Sequence, residues 1–234
     1  MRVMLTRRVL IGAFALTGAL ATGCSPSTGG TSNPLPDGQS LLRDAADSAR
    51  TINSAHFTLK VNGGVANLPV TSADGDLTRD GSARGTADMV EFGQRLRLDF
   101  VVAGKTLYIK GPTGGFQAIP GGTGIYDPSA ILDPERGVAK VLASVSGART
   151  EAKETVDGIA TDRVTGRVGR EAVAGVVPGI NSDVDVTFWV RDDGKHQPVR
   201  ASIKLPAVNQ GEPAPTVDMT LADVDKPVTI TPPA

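Results

Sequence analysis

The stretch Arg95-Leu96-Arg97-Leu98-Asp99-Phe100-Val101-Val102 decides the fold. Leu96, Leu98, Phe100 and Val102 recur at every second position, with Arg95, Arg97, Asp99 and Val101 between them. A period of two sends alternate side chains to opposite faces, so this is a strand with one apolar face and one mainly wet face. The signature recurs. Phe57, Leu59 and Val61 alternate with His56, Thr58 and Lys60. Val184, Val186, Phe188 and Val190 form a second set, Val199, Ala201, Ile203 and Leu205 a third, and Val217, Met219 and Leu221 a fourth. One-sided strands belong to an antiparallel sheet. Asp80-Gly81, Asp157-Gly158, Asp193-Gly194 and Ala103-Gly104 supply the tight connections, since such pairs tolerate positive φ. The count comes to about ten strands, enough for one sheet to curl strongly or nearly close.

A few helical pieces accompany the sheet. From Asp37 to Ile52, the residues Leu41, Leu42, Ala45, Ala46, Ala49 and Ile52 form one stripe at spacings of three and four, and Asp37 or Ser40 can cap its start. Tyr126-Asp127-Pro128 opens a segment through Leu132. The sequence then predicts a second helix with Asp133 as its cap and Pro134 at its first position, followed by Val138, Val141, Leu142 and Val145 on one face. A shorter helix is expected from Arg170 to Val177, ended by Pro178-Gly179. The fold class is α+β: a large curled antiparallel sheet with helices burying apolar stripes against it.

The amino-terminal region reads differently. Arg2, Arg7 and Arg8 precede an apolar run from Val9 to Leu20. At about a dozen residues, the run suits a signal-peptide core and is too short to span a bilayer. Leu20-Ala21-Thr22-Gly23-Cys24 follows, resembling a bacterial lipobox, in which the cysteine is acylated and becomes the new amino terminus. Thr6-Arg7-Arg8 also permits twin-arginine export. The expected organisation is a signal peptide over 1–23, a Ser-, Thr-, Gly- and Pro-rich tether over 24–36 that begins at lipidated Cys24, and a single domain over 37–234. This places the body outside the cytoplasm, lipid-anchored to the cell membrane. Cys24 is the only cysteine, so no internal disulfide is expected.

Little here suggests catalysis. There are two histidines, His56 and His196, both expected to be solvated, and no Gly-x-Ser-x-Gly elbow. No zinc ligand set or complete calcium loop appears, and Asp74-x-Asp76 and Asp183-x-Asp185 read as carboxylates on strand faces. No metal and no cofactor are expected. The formal net charge of −1 argues against a nucleic-acid partner. Aromatic content is only 4%, against 28 glycines and 16 prolines. A broad curled sheet faced with small aliphatic side chains leaves two outcomes open: a greasy cavity, or helices packed down to fill it.

Several stretches then combine in one order: Gly75-Asp76-Leu77-Thr78, Asp99-Phe100-Val101-Val102, Ile125-Tyr126-Asp127-Pro128, Leu132-Asp133-Pro134, Gly137 to Ala143, and Phe188-Trp189-Val190. In this the chain resembles the mycobacterial LppX/LprA/LprF/LprG lipoprotein family, and Pro34-Leu35-Pro36-Asp37 with Ser54-Ala55-His56 is similar to its LprG branch. The resemblance implies a half-barrel whose concave side, covered by helices, encloses an apolar cavity for multi-acylated lipids or glycolipids. It also implies transport towards the outer envelope, in concert with a major-facilitator export permease. Carried onto this chain, Ala87, Met89, Leu96, Leu98 and Phe100 would line the pocket, with Val138, Val141 and Leu142 facing it from the helix. The loop Gly121 to Gly124 would form the mouth.

Three functions follow in descending order: a monomeric lipid carrier, a tethered adaptor docking a transporter or cell-wall enzyme without lipid cargo, and an envelope hydrolase, for which no base is evident.

Overall fold

The computed structural model describes residues 34–65, 68–91, 93–122, 128–177, 180–207, 211 and 213–233. Cys24 and most of the tether lie outside these residues, as do Tyr126, Asp127, Pro178 and Gly179. Helix α1 (Gly38–Thr51) opens the domain. Asp37 is its cap, its carboxylate accepting the Ser40 N–H at 2.8 Å. Strands β1 (Ser54–Asn62), β2 (Val70–Thr78), β3 (Ala83–Glu91), β4 (Gln94–Ala103), β5 (Thr106–Lys110) and β6 (Gln117–Pro120) follow as a meander. A 3-10 helix (Pro128–Leu132) and helix α2 (Val138–Ala143) lead to a second meander. This comprises β7 (Ser146–Val156), β8 (Ile159–Val168), β9 (Val184–Arg191), β10 (Pro198–Lys204) and β11 (Thr216–Ala222), with α3 (Arg170–Val173) between β8 and β9.

The meanders join through β1 and β11 into one 11-stranded antiparallel sheet ordered β6-β5-β4-β3-β2-β1-β11-β10-β9-β8-β7. The sheet is open, with β6 and β7 as its edges. The expected turns are all present: Asp157 and Gly158 adopt φ of 50° and 81° between β7 and β8, as a two-residue hairpin requires.

Helix α1 buries Leu41, Leu42, Ala45, Ala46 and Ala49. It packs against α2 and against strands β7 to β10, while the 3-10 helix packs on β2. Helix cover is therefore concentrated over one wing of the sheet. There β9 buries every second residue, whereas all four residues of β6 are exposed.

Two helix expectations need correction. Asp133 and Pro134 do not start α2. The Asp133 carboxylate instead closes a turn by accepting the Glu135 and Arg136 N–H groups at 2.8 and 3.0 Å, and it also accepts from the Arg136 side chain. Gly137 then runs extended, and the helix begins at Val138. The third helix stops at Val173, with a turn continuing to Val177. Asp183 is not a strand-face group: its Oδ1 accepts the Arg170 N–H at 3.1 Å and fixes that helix start.

A close approach of β2 and β3 is built on two glycines. Gly75 faces Gly85 across the ladder, with Phe57 and Phe100 at the flanking positions of the same rung. A methyl group at Gly75 would lie 2.1 Å from the Arg84 carbonyl oxygen, and one at Gly85 would lie 2.1 Å from that of Asp74. The strands approach so closely here that only glycine fits on either side. On the opposite face His56 is not simply solvated. Its Nδ1 lies 3.0 Å from Asp76 and its Nε2 lies 3.3 Å from Asp74, and Arg84 completes the cluster at 3.2 Å from Asp76.

Burial would lower the His56 pKa, but the hydrogen bond to Asp76, with the charge and bond of Asp74, outweighs it and raises the value above 6.5. Burial would raise that of Asp76, but the hydrogen bonds and charges of His56 and Arg84 hold it below 3.8. The His56 contribution is complete below its unfolded value and lost as pH rises through the folded one, while the Asp76 contribution is lost as pH falls through its lowered value. The melting-temperature advantage of the wild type over His56→Gln should thus be larger near pH 5.5 than near pH 8; an equal advantage at both would contradict the pairing. Separately, Gly75→Ala should cost roughly 3 kcal/mol or more in urea unfolding, because the added carbon meets backbone that cannot rotate away. A loss under about 1 kcal/mol would show that the strands separate easily there.

Candidate functional site

The apolar face of β1 to β6 is a set of rungs fixed by strand register. Lowest is Leu77–Ala83–Val102–Leu107–Ile119, near the β4–β5 turn. Next comes Phe57–Gly75–Gly85–Phe100–Ile109, then Leu59–Ala73–Ala87–Leu98, and highest Val70–Met89–Leu96 beside the β3–β4 turn. The strands alternate, so these positions lie on one face, with Val70 brought to it by the register shift between Val70 and Ser72.

On β3 and β4 burial falls from rung to rung. Leu77, Ala83 and Val102 have 0% exposure, and Phe100 has 9%. Ala87 and Leu98 are half-buried, as are Met89 and Leu96. Along β3 and β4 the face is closed at its lowest rung and open towards the β3–β4 turn, while at the β5–β6 edge Leu107 and Ile109 are half-buried and Ile119 is 36% exposed. The exposed part is aliphatic and thioether surface without charge. A groove wall of that kind takes hydrocarbon: it offers dispersion contact and excludes water, and has nothing to polarise a bond.

Among the eight pocket residues drawn from the resemblance, Ala87, Met89, Leu96, Leu98 and Phe100 come together as neighbours on β3 and β4. Val138, Val141 and Leu142 are buried on α2 in the packed core that also holds Leu42, Ile131 and Phe57. That part of the interior is filled by the protein's own side chains. The described part of the Gly121 to Gly124 loop is at the sealed end: the Gly121 N–H donates to the Lys105 carbonyl at 3.0 Å, and Gly122 is buried against Ile119 and Leu107. Thr123 and Gly124 lie outside the described residues.

Sequence reading missed Gly75 and Gly85, although glycines at apolar-face positions of two consecutive strands are a signal for close backbone approach. It also missed Leu107 and Ile109, whose short strand carries too few alternations, and Val70, which a register shift sets off from the alternation of β2. Among the described residues no group of three or more His, Cys, Asp or Glu side chains could hold a metal ion, and no helix is long and apolar enough to cross a membrane.

Known proteins share this arrangement. Residues 37–230 match the family model of the LppX_LprAFG lipoproteins. A Mycolicibacterium smegmatis protein named lipoarabinomannan carrier protein LprG is 38% identical over 233 residues, covering 96% of this chain and 95% of the relative. Its Mycobacterium tuberculosis namesake is 30% identical over 230 residues, covering 97% and 95%. The crystal structure of LprF from Mycobacterium bovis superposes with a TM-score of 0.75 at 28% identity, covering 86% of this chain and 99% of that one. LppX from Mycobacterium tuberculosis, at 24% identity and TM-score 0.63, has the same fold. With an open, helix-faced sheet of this topology and relatives matched along nearly their full length, the chain belongs to the LppX_LprAFG lipoprotein family.

Proposed function

We propose that this protein is an envelope lipoprotein that carries multi-acylated lipids or glycolipids, its acyl chains lying along the apolar face of β2 to β5. One observation carries this reading: the face passes from sealed to open over four rungs without meeting a charge. The relatives named lipoarabinomannan carriers support a glycolipid as cargo. Residues 1–23 act as the export signal, Cys24 bears the anchoring acyl groups, and 24–36 serves as the tether on the extracytoplasmic side of the cell membrane. The protein works as a monomer, and the family resemblance pairs it with an export permease.

The energetics suit a shuttle. Exposing acyl chain to water costs about 0.8 kcal/mol per methylene, so a free lipid crosses an aqueous gap slowly. Bilayer and trough are both apolar, so exchange between them is near neutral while the water barrier is removed. Net affinity need not be high. Ala87, Leu98, Met89 and Leu96 supply the floor, and Phe100 closes it towards the packed end.

Mass spectrometry of lipid co-purified with the full chain tests this reading. Ala87→Trp, which fills the third rung, should lower bound lipid at least several-fold while far-UV circular dichroism is unchanged; Leu98→Arg should do the same by placing a charge on the floor. Unchanged lipid content in both would overturn the site. Anchoring is checked by metabolic labelling with an alkyne fatty acid, where Cys24→Ser should abolish incorporation and release the protein from the membrane fraction. Persistent labelling would refute Cys24 as the acceptor.

A further inference from the structure

The opposite face of the same sheet carries a second feature that lipid carriage does not use. A groove of about 450 Å³ crosses β4, β3, β2, β1, β11 and β10. Six strands at their usual spacing make it about 24 Å long. We infer that this groove binds a saccharide chain.

The register arranges its walls. On one rung Arg97 faces Asp88, Asp88 faces Ser72, Ser72 faces Lys60, and Lys60 faces Asp218. On the next, Thr86, Asp74, Thr58, Thr220 and Arg200 follow in order, each opposite the one before. Three carboxylates thus meet three cations, with four hydroxyls set between them. A polyanion or a lone phosphate would meet carboxylates as often as guanidinium groups, and a hydrocarbon would meet charge everywhere. A sugar hydroxyl both donates and accepts, so alternating acceptors and donors match a run of them.

One end of the groove is held rigid. The only tryptophan of the chain, Trp189, is on this polar face rather than in the core, opposite Arg200. Its indole N–H donates to Glu154 at 2.8 Å, and the Arg200 guanidinium sits 4.9 Å from the ring centroid. Arg200 also reaches Asp218 at 3.5 Å. Stacking and pairing thus fix a donor fork at the groove wall before any ligand arrives, which reduces the ordering cost of binding.

The choice of an envelope glycan rests on the carrier reading; the groove itself does not. The sugar could be the headgroup of the protein's own glycolipid cargo or unacylated polysaccharide of the surrounding envelope, and the test separates the two. The full chain is titrated with deacylated arabinomannan while Trp189 fluorescence reports on the groove through Arg200. Saturable change is expected, weakened about tenfold or more in Asp88→Ala/Arg97→Ala, with loading of tripalmitin, which has no sugar, unaltered. Preloading with intact lipoarabinomannan should block the free glycan if cargo sugar fills the groove, and leave its binding intact if the groove holds envelope polysaccharide. Absence of glycan binding by the wild type, or equal binding by the double variant, overturns the inference without touching the carrier reading. Failure of tripalmitin loading beside intact glycan binding would overturn the carrier reading alone.

Discussion

The rest of the structure depends on how closely β2 and β3 approach at Gly75 and Gly85. Neither residue has a Cβ, and neither could have one without striking the other strand's backbone at 2.1 Å. Because the pair sits between Phe57 and Phe100 on one rung, the space the glycines vacate on the apolar face is bounded by two aromatic rings. Phe57 is fully enclosed and Phe100 almost so. Larger side chains here would push the strands apart.

The two wings of the sheet are covered differently. The β7 to β10 wing lies under α1, and its inward valines are enclosed to within a few per cent. The β3 to β6 wing keeps most of its inward residues half-exposed. Local opening costs least where few apolar contacts must be broken, so the second wing opens more readily than the packed one. The buried face of α2 belongs to the packed core. Val138, Val141 and Leu142 are already surrounded by core residues and hold the helix layer in place.

Much of this was legible in the chain. The alternation around Phe100, the stripe from Leu41 to Ile52 and the Asp-Gly turns depend on local periodicity and backbone preference, and each appears where those rules put it. The start of α2 was misread because Asp133 and Pro134 satisfy the rules for a helix start and those for a turn equally well. Gly137, held extended where any Cβ would be 2.2 Å from the Ile131 carbonyl, decides between them through tertiary contact. His56 was misread for a similar reason. Its alternation placed it on the wet face correctly, but pairing with Asp74 and Asp76 requires the β1–β2 register, which no local pattern encodes. The open end of the trough was likewise hidden, since it depends on which rungs the helices leave uncovered.

An open sheet that handles lipid must also keep its free edges from pairing with other chains, and the two edges are protected differently. Strand β6 has only four residues and ends in Pro120, too short and too poor in donors to template another strand. Strand β7 is long, but α1 starts directly against it: Gly38 is packed so closely on the Arg149 and Thr150 backbone that an added Cβ would be 2.9 Å away. The helix that fills the core at Leu42 thus also shields the edge at Arg149. Edge pairing is thus hindered at β6 by its length and at β7 where α1 covers Arg149 and Thr150. A sheet that avoids aggregation in this way can leave an apolar face open to cargo without also offering it to its own copies.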